Sequence, residues 1–112
     1  MKVCFNGFQE NATSFEVSGT VSPGDPVKIS GNGTVAASAD TEAFCGVALG
    51  VRDGIAVVQL GGYVKVPYTG SVSTGFQKLS AAGEGKVKAD ENGREFLVID
   101  VDSTAQNCGL LL

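Results

Sequence analysis

The chain has 112 residues, of which 43% are hydrophobic and 18% charged, and this suits one globular domain rather than a disordered segment. Its formal net charge is -4 and its eight basic residues are scattered, so the sequence predicts no nucleic-acid partner. Histidine is absent from the sequence. This excludes Ser-His-Asp and Cys-His nucleophiles and every His-ligated zinc or copper site.

The apolar segments and the cysteines bear on where the protein is made. No segment approaches the ~20 apolar residues of a membrane-spanning helix, so no membrane partner is expected. The N-terminal stretch has no continuous apolar region, which predicts synthesis in a cytoplasm without a secretory signal. Three widely spaced cysteines, Cys4, Cys45 and Cys108, fit buried thiols in a reducing compartment better than a disulfide framework.

The chain opens with an apolar segment followed by a first strand. Phe15 and Val17 alternate with polar neighbours, which is the pattern of a half-buried strand. Val3, Phe5 and Phe8 come before that pattern begins. Two interpretations of them stay open: they complete the core, or they form an arm that docks on a neighbouring molecule.

Short apolar runs separated by glycine and proline turns fill the middle of the chain. Ser22 to Pro26 predicts a turn, because proline fixes φ and glycine admits positive φ. Gly31-Asn32-Gly33 predicts another turn between two short strands. Asp53-Gly54, inside the apolar stretch Phe44 to Gly62, predicts a hairpin with a two-residue turn. The paired glycines Gly61-Gly62 predict a bulge or bend.

The second half repeats the glycine and apolar spacing of the first, at a shift of 51 and then 52 residues. Gly83-x-Gly85 matches Gly31-x-Gly33, for example. The repeat predicts two similar β-units, at about residues 22–60 and 73–112, that share one core. Asn92-Gly93 predicts a hairpin turn within the second unit.

The predicted fold class is all-β, with little or no helix, because no stretch of ten residues has a 3.6-residue apolar period. We expect a compact β-barrel or sandwich of short antiparallel strands, with the two pseudo-repeated units joined by the link Tyr68 to Gly75. Residues 1–19 are assigned to an N-terminal arm and first strand, and residues 20–112 to a single β-domain. Whether the strands form a barrel or a sandwich stays open.

One pair of carboxylates invites a chemical interpretation. Asp100-Val101-Asp102-Ser103-Thr104 is similar to the D-x-D-x-T motif of haloacid-dehalogenase-type phosphatases, in which the first Asp is the nucleophile and the second the acid/base. Only eight residues follow Thr104, whereas that family needs a much larger downstream domain. The sequence therefore predicts no enzyme, and a small enzyme using Asp100 and Asp102 is kept only as a second alternative.

The same two acids are explained more simply as solvent-facing residues of a strand. Residues two apart share one face of a strand, which predicts Leu97, Ile99 and Val101 on the opposite, apolar face. Two carboxylates supply too few oxygens for calcium, so neither a metal site nor a cofactor is predicted.

Tyr63 and Tyr68 suggest a different class of function. Amphipathic tyrosines near a strand end can line a groove for a sugar, so a carbohydrate- or host-surface-binding module is the first alternative. That alternative predicts exposed aromatic side chains around these two positions.

Three short motifs carry a resemblance to a known class of protein. Gly24-Asp25-x-Val27, Gly46-Val47-Ala48-Leu49 and the run Val64 to Pro67 form a progression that resembles the small β-rich capsid decoration (cement) proteins of tailed bacteriophages. The similarity covers most of Val21 to Leu112, and its motifs consist of turn and core residues.

The resemblance implies a structural protein that binds the outer surface of a phage head and stabilises it against internal DNA pressure. Its partner would be the major capsid protein, and it would act as a homo-oligomer, with a trimer favoured, on the virion after synthesis in the host cytoplasm. The similarity does not include the N-terminal segment. We assign the contact with the capsid or a neighbouring subunit to that segment because exposed apolar segments tend to mark interaction sites. The predicted contact residues are Val3, Phe5, Phe8, Glu10 and Asn11.

Overall fold

A computed structural model describes residues 11–112, and all helical or strand structure in that range is strand. The ten strands are β1 Asn11–Val17, β2 Pro26–Gly31, β3 Thr34–Ala37, β4 Gly46–Arg52, β5 Ile55–Gly61, β6 Tyr63–Pro67, β7 Gly75–Gly83, β8 Lys86–Ala89, β9 Arg94–Asp102 and β10 Asn107–Leu111. The prediction of an all-β fold with little or no helix is confirmed.

The strands form a closed barrel and a second five-stranded sheet. The barrel has the order β1-β3-β2-β4-β5, and β1 closes it by pairing antiparallel with β5 and parallel with β3. The second sheet has the order β6-β10-β9-β7-β8, and a parallel bridge between Tyr68 and Val87 joins the end of β6 to β8. The same order of pairing therefore occurs twice along the chain. Each unit includes one parallel contact, which the expectation of purely antiparallel strands did not contain.

The hairpin predicted at Asp53-Gly54 is present. It joins β4 to β5, and its two turn residues have φ values of 51° and 77°. Positive φ at both central residues is the requirement of a type I′ turn, whose twist matches that of the flanking strands. The Asp-Gly pair therefore sets the register of this hairpin.

The chain passes from the barrel to the second sheet at Gly62, whose φ is 85°. The buried side-chain amide of Gln59 donates hydrogen bonds to the carbonyls of Gly61 and Tyr63, at 3.0 and 2.8 Å. These hydrogen bonds stabilise the bend that was predicted from the paired glycines. Since β6 pairs with β10, the second sheet begins before the predicted link Tyr68 to Gly75.

Asn92-Gly93 forms a turn, but the prediction of a hairpin there is wrong. Strands β8 and β9 both pair with β7 and not with each other. The Asp90 carboxylate accepts hydrogen bonds from the Asn92 backbone N–H (2.9 Å) and the Ser80 hydroxyl (2.8 Å). These bonds lower the pKa of Asp90. The side chain of Asp90 thus ties the turn to β7, so that β9 returns along the far edge of β7.

The apolar core consists of two clusters rather than the single predicted core. The cluster inside the barrel contains the buried residues Val21, Val27, Val35, Ala48, Ala56 and Val58. The other lies under the second sheet, yet Phe44 and Val47 from the first half of the chain belong to it. The Phe44 ring stacks on that of Phe96 with 4.9 Å between centroids. The two units therefore pack against each other through apolar side chains.

Backbone hydrogen bonds also join the two units. The Thr41 N–H donates to the Ala81 carbonyl at 2.8 Å, and the Ala81 N–H donates to the Glu42 carbonyl at 2.9 Å. Nearby, the Lys88 ammonium contacts the Asp40 carboxylate at 2.6 Å. The loop between β3 and β4 is thereby attached to β7 and β8.

Candidate functional site

Most of the predicted contact residues lie outside the part of the chain that the structure describes. This applies to Val3, Phe5, Phe8 and Glu10, and also to Cys4. Asn11 is exposed, begins β1 and pairs with Gly61 of β5. The assignment of these residues to a capsid or subunit contact stays a prediction.

The two acids of the phosphatase-like motif have separate partners. The Tyr63 hydroxyl donates to the Asp100 carboxylate, at 3.0 and 3.2 Å from its two oxygens. Asp102 accepts hydrogen bonds at 3.1 Å from the backbone N–H groups of Thr104 and Ala105. Asp100 thus links β9 to β6, and Asp102 orders the turn between β9 and β10.

The predicted faces of β9 are wrong for the first half of the strand. Phe96 and Val98 are buried, whereas Leu97 and Ile99, the residues predicted to face the core, are half-buried. The cause is a bulge: Val98 and Asp100 pair with consecutive residues of β10, which leaves Ile99 without a partner in the ladder. Beyond the bulge Val101 does pack against the core, as predicted.

We expect Tyr63→Phe to lower the free energy of unfolding by about 1.5 kcal/mol, because it removes a hydrogen bond between the buried Tyr63 hydroxyl and the half-buried Asp100 carboxylate. Urea unfolding of Tyr63→Phe, Asp100→Ala and the double variant would measure the coupling between the two side chains. If the loss of unfolding free energy in the double variant equalled the sum of the losses in the two single variants, the assigned hydrogen bond would be contradicted.

The two tyrosines do not form an exposed aromatic surface. The exposed fractions of Tyr63 and Tyr68 are 6% and 4%. The prediction of exposed aromatic side chains at these positions, made for the carbohydrate-binding alternative, is therefore wrong. Tyr63 instead covers Gly109, where an added Cβ would meet its hydroxyl group.

The two described cysteines, Cys45 and Cys108, are free thiols. Cys108 is completely buried, and burial raises the pKa of its thiol to about 11, with a further contribution from the nearby Asp100 carboxylate. Burial also raises the pKa of Cys45. Both side chains are protonated at neutral pH. The interpretation as a buried thiol agrees with the structure for Cys108, whereas Cys45 is half-buried.

Residues 11–112 contain neither a cluster of metal-ligating side chains nor an apolar helix of membrane-spanning length. No group of three or more cysteine, aspartate or glutamate side chains in that range could hold a metal ion. The same residues contain no helix that is long and apolar enough to cross a membrane.

An exposed phenylalanine lies at an open groove on the second sheet. Phe76 of β7 is 74% exposed, the largest exposed fraction among the large hydrophobic residues described. The groove has a volume of about 710 Å³ and is lined by Phe76, Lys78, Ala89, Glu91, Asn92 and Glu95, among others. We call it the Phe76 groove. An apolar ring beside carboxylates suits a partner that offers an apolar side chain with basic neighbours.

A second apolar surface lies on the outside of the barrel. Leu49 of β4 and Ile55 and Val57 of β5 are 42%, 42% and 40% exposed. Ile55 and Val57 are two apart on one strand and share its outer side, and Gly50 pairs with Val57. We call this surface the β4–β5 face. The sequence did not indicate this face, because a two-sided apolar run does not reveal which side is covered.

No protein-family model and no curated protein matches this sequence.

Proposed function

We propose that the protein is a capsid decoration (cement) protein, which binds the outer surface of a tailed-phage head and stabilises it. The observation that carries the proposal is that exposed large hydrophobic side chains lie on two separate surfaces of one small all-β molecule. These surfaces are the Phe76 groove, in which Phe76 stands among mostly polar residues, and the β4–β5 face. Exposed apolar patches mark interaction sites. Two of them suit a protein that contacts both a lattice and further copies of itself.

The net charge of the protein and the regular lattice of a phage head support the same function. A chain with a formal net charge of -4 suits the outside of the shell, away from packaged DNA. A small contact surface is sufficient there, because many copies bound to one lattice hold together through avidity. The partner is the major capsid protein, and neither a nucleic acid nor a membrane is part of the proposal.

The N-terminal segment is the proposed anchor to the head. Val3, Phe5 and Phe8 supply apolar side chains, and Glu10 and Asn11 form the polar rim of the contact. The resemblance to decoration proteins favours a homo-oligomer, with a trimer as the proposed state.

The test is co-sedimentation with empty heads of the source phage. We expect the unmodified protein to bind to saturation at a copy number related to the symmetry of the head. Phe5→Ser with Phe8→Ser should abolish binding, and Phe76→Ser should weaken it, while each variant keeps its thermal midpoint. Ile29→Ser is the matched control, because Ile29 is 53% exposed but lies in neither surface.

The results of this experiment test head binding and the N-terminal anchor separately. Failure of the unmodified protein to bind heads would overturn the proposed function, and a glycan array would then test the carbohydrate-binding alternative. Normal binding by the Phe5→Ser, Phe8→Ser variant would overturn only the N-terminal anchor.

A further inference from the structure

The two units have the same pairing order, so their outer surfaces can be compared position by position. In the second unit Gly109 pairs with Asp100, and in the barrel Val57 pairs with Gly50. Likewise Tyr63 pairs with Leu111 of β10, and Ala12 pairs with Gln59 of β5. Ala12, Gly50 and Val57 of the barrel thus correspond to Tyr63, Asp100 and Gly109 of the second unit.

The outer surface at Gly109 is covered by a side chain in the second unit, whereas the corresponding surface at Val57 of the barrel is exposed. The Tyr63 ring covers Gly109 and is held there by its hydrogen bond to Asp100. In the barrel, the alanine at the position of Tyr63 is too short to cover Val57. A Cβ added at Gly50 would have nothing within 4 Å. Among residues 11–112, none therefore covers the β4–β5 face, which forms a shallow apolar depression.

Opposite charges lie on the two sides of this face. Ile55 pairs with Glu16 of β1 on one side and with Arg52 of β4 on the other, so the three side chains form a row across the barrel. Glu16 is exposed, and the side chain of Arg52 is 93% exposed and lies 3.8 Å from the equally exposed carboxylate of Asp53. From β1 to β4, the row therefore consists of an acidic, an apolar and a basic side chain.

We propose that the β4–β5 face binds the same face of a second copy of this chain, about a two-fold axis parallel to the strands. That axis places Ile55 and Val57 against their own equivalents. It also exchanges the two sides of the face, so that Glu16 of each copy lies opposite Arg52 of the other. A two-fold axis perpendicular to the strands, by contrast, would bring like charges together. The order of charges therefore favours the axis parallel to the strands, and it favours a second copy of this chain as the binding partner.

The contact goes beyond the proposed function, because two copies can pair in this way whether or not the protein binds phage heads. The apolar area offered by three partly exposed side chains is small for a specific interface. Pairing is therefore weak and concentration-dependent in solution, and weaker still at high salt, which screens the exposed charges.

Sedimentation velocity of the full chain over a wide concentration range at low salt tests the pairing. We expect the mass of the smallest species to increase with concentration, and to double if that species is one chain. Val57→Lys should remove the pairing. Arg52→Glu should weaken it about tenfold, since it places two pairs of like charges in contact. Glu16→Lys combined with Arg52→Glu should restore it, because the row of charges is only reversed.

Unchanged thermal midpoints would show that the variants are folded, and Phe76→Ser should pair like the unmodified protein. A constant mass at every concentration would overturn the proposal. Failure of the reversed-charge double variant to regain pairing would overturn the two-fold arrangement. Head binding is measured separately, so loss of pairing with intact head binding would reject this inference and leave the proposed function standing.

Discussion

Gly93→Ala is expected to lower the free energy of unfolding by about 3 kcal/mol, at the upper end of the cost of overpacking. A Cβ at this position would meet the carbonyl oxygen of Leu79 and lie 2.5 Å from its carbonyl carbon and 3.0 Å from its nitrogen. These are backbone atoms of β7, which pairs with both β8 and β9. No rotation of a side chain relieves the clash, so β7 or the turn must shift.

The matched control is Gly50→Ala. Nothing lies within 4 Å of the Cβ position at Gly50, so that change should alter the unfolding free energy by less than about 0.5 kcal/mol. Urea unfolding of the three proteins at one pH would measure both effects. Equal midpoints for Gly93→Ala and the unmodified protein would show that the turn does not approach β7 as closely as described.

Leu110→Ala is expected to cost about 3 kcal/mol, within the range measured for leucine truncations in well-packed cores. Leu110 is completely buried in β10, where it pairs with Val64 of β6 and Val98 of β9. Its removal leaves a cavity between two neighbouring strands that are themselves fixed by further pairing. The surroundings therefore have little freedom to collapse into the space.

Leu60→Ala is the control for this prediction, because the side chain is 38% exposed and gives up less buried surface. Denaturant unfolding should show a clearly smaller loss than for Leu110→Ala. We also expect one transition for both units, since Phe44 and Val47 of the first half belong to the cluster under the second sheet. A loss in Leu110→Ala no larger than in Leu60→Ala would contradict the assigned packing.

Local turn chemistry was the part of the fold that could be predicted from sequence. Asp53-Gly54 specifies its own geometry, because both residues tolerate positive φ. Asn92-Gly93 carries the same kind of signal, yet there the Asp90 side chain and β7 determine the path of the chain. Strand partners distant in sequence are chosen by packing across the whole molecule, and no window of residues contains that information.

The surfaces were harder to predict than the fold. The bulge at Ile99 changes which residues of β9 face the core, and it depends on how β9 pairs with β10. The exposure of Phe76 could not be read from the sequence either, because an aromatic residue in an alternating strand fits a core position equally well. The cover that Tyr63 provides over Gly109 joins residues that are 46 positions apart in the sequence, so no local pattern indicates it.

The covering of Gly109 by Tyr63 has a consequence for how large an assembly can grow. A duplicated protein with a bare outer face on both of its units could add a copy at each end and extend into a filament. Here the second unit carries its own aromatic cover, whereas no residue in the range 11–112 covers the barrel at this position. Two single chains that pair through one self-complementary face leave no further copy of that face exposed, so the cover provided by Tyr63 prevents open-ended growth of single chains through this position.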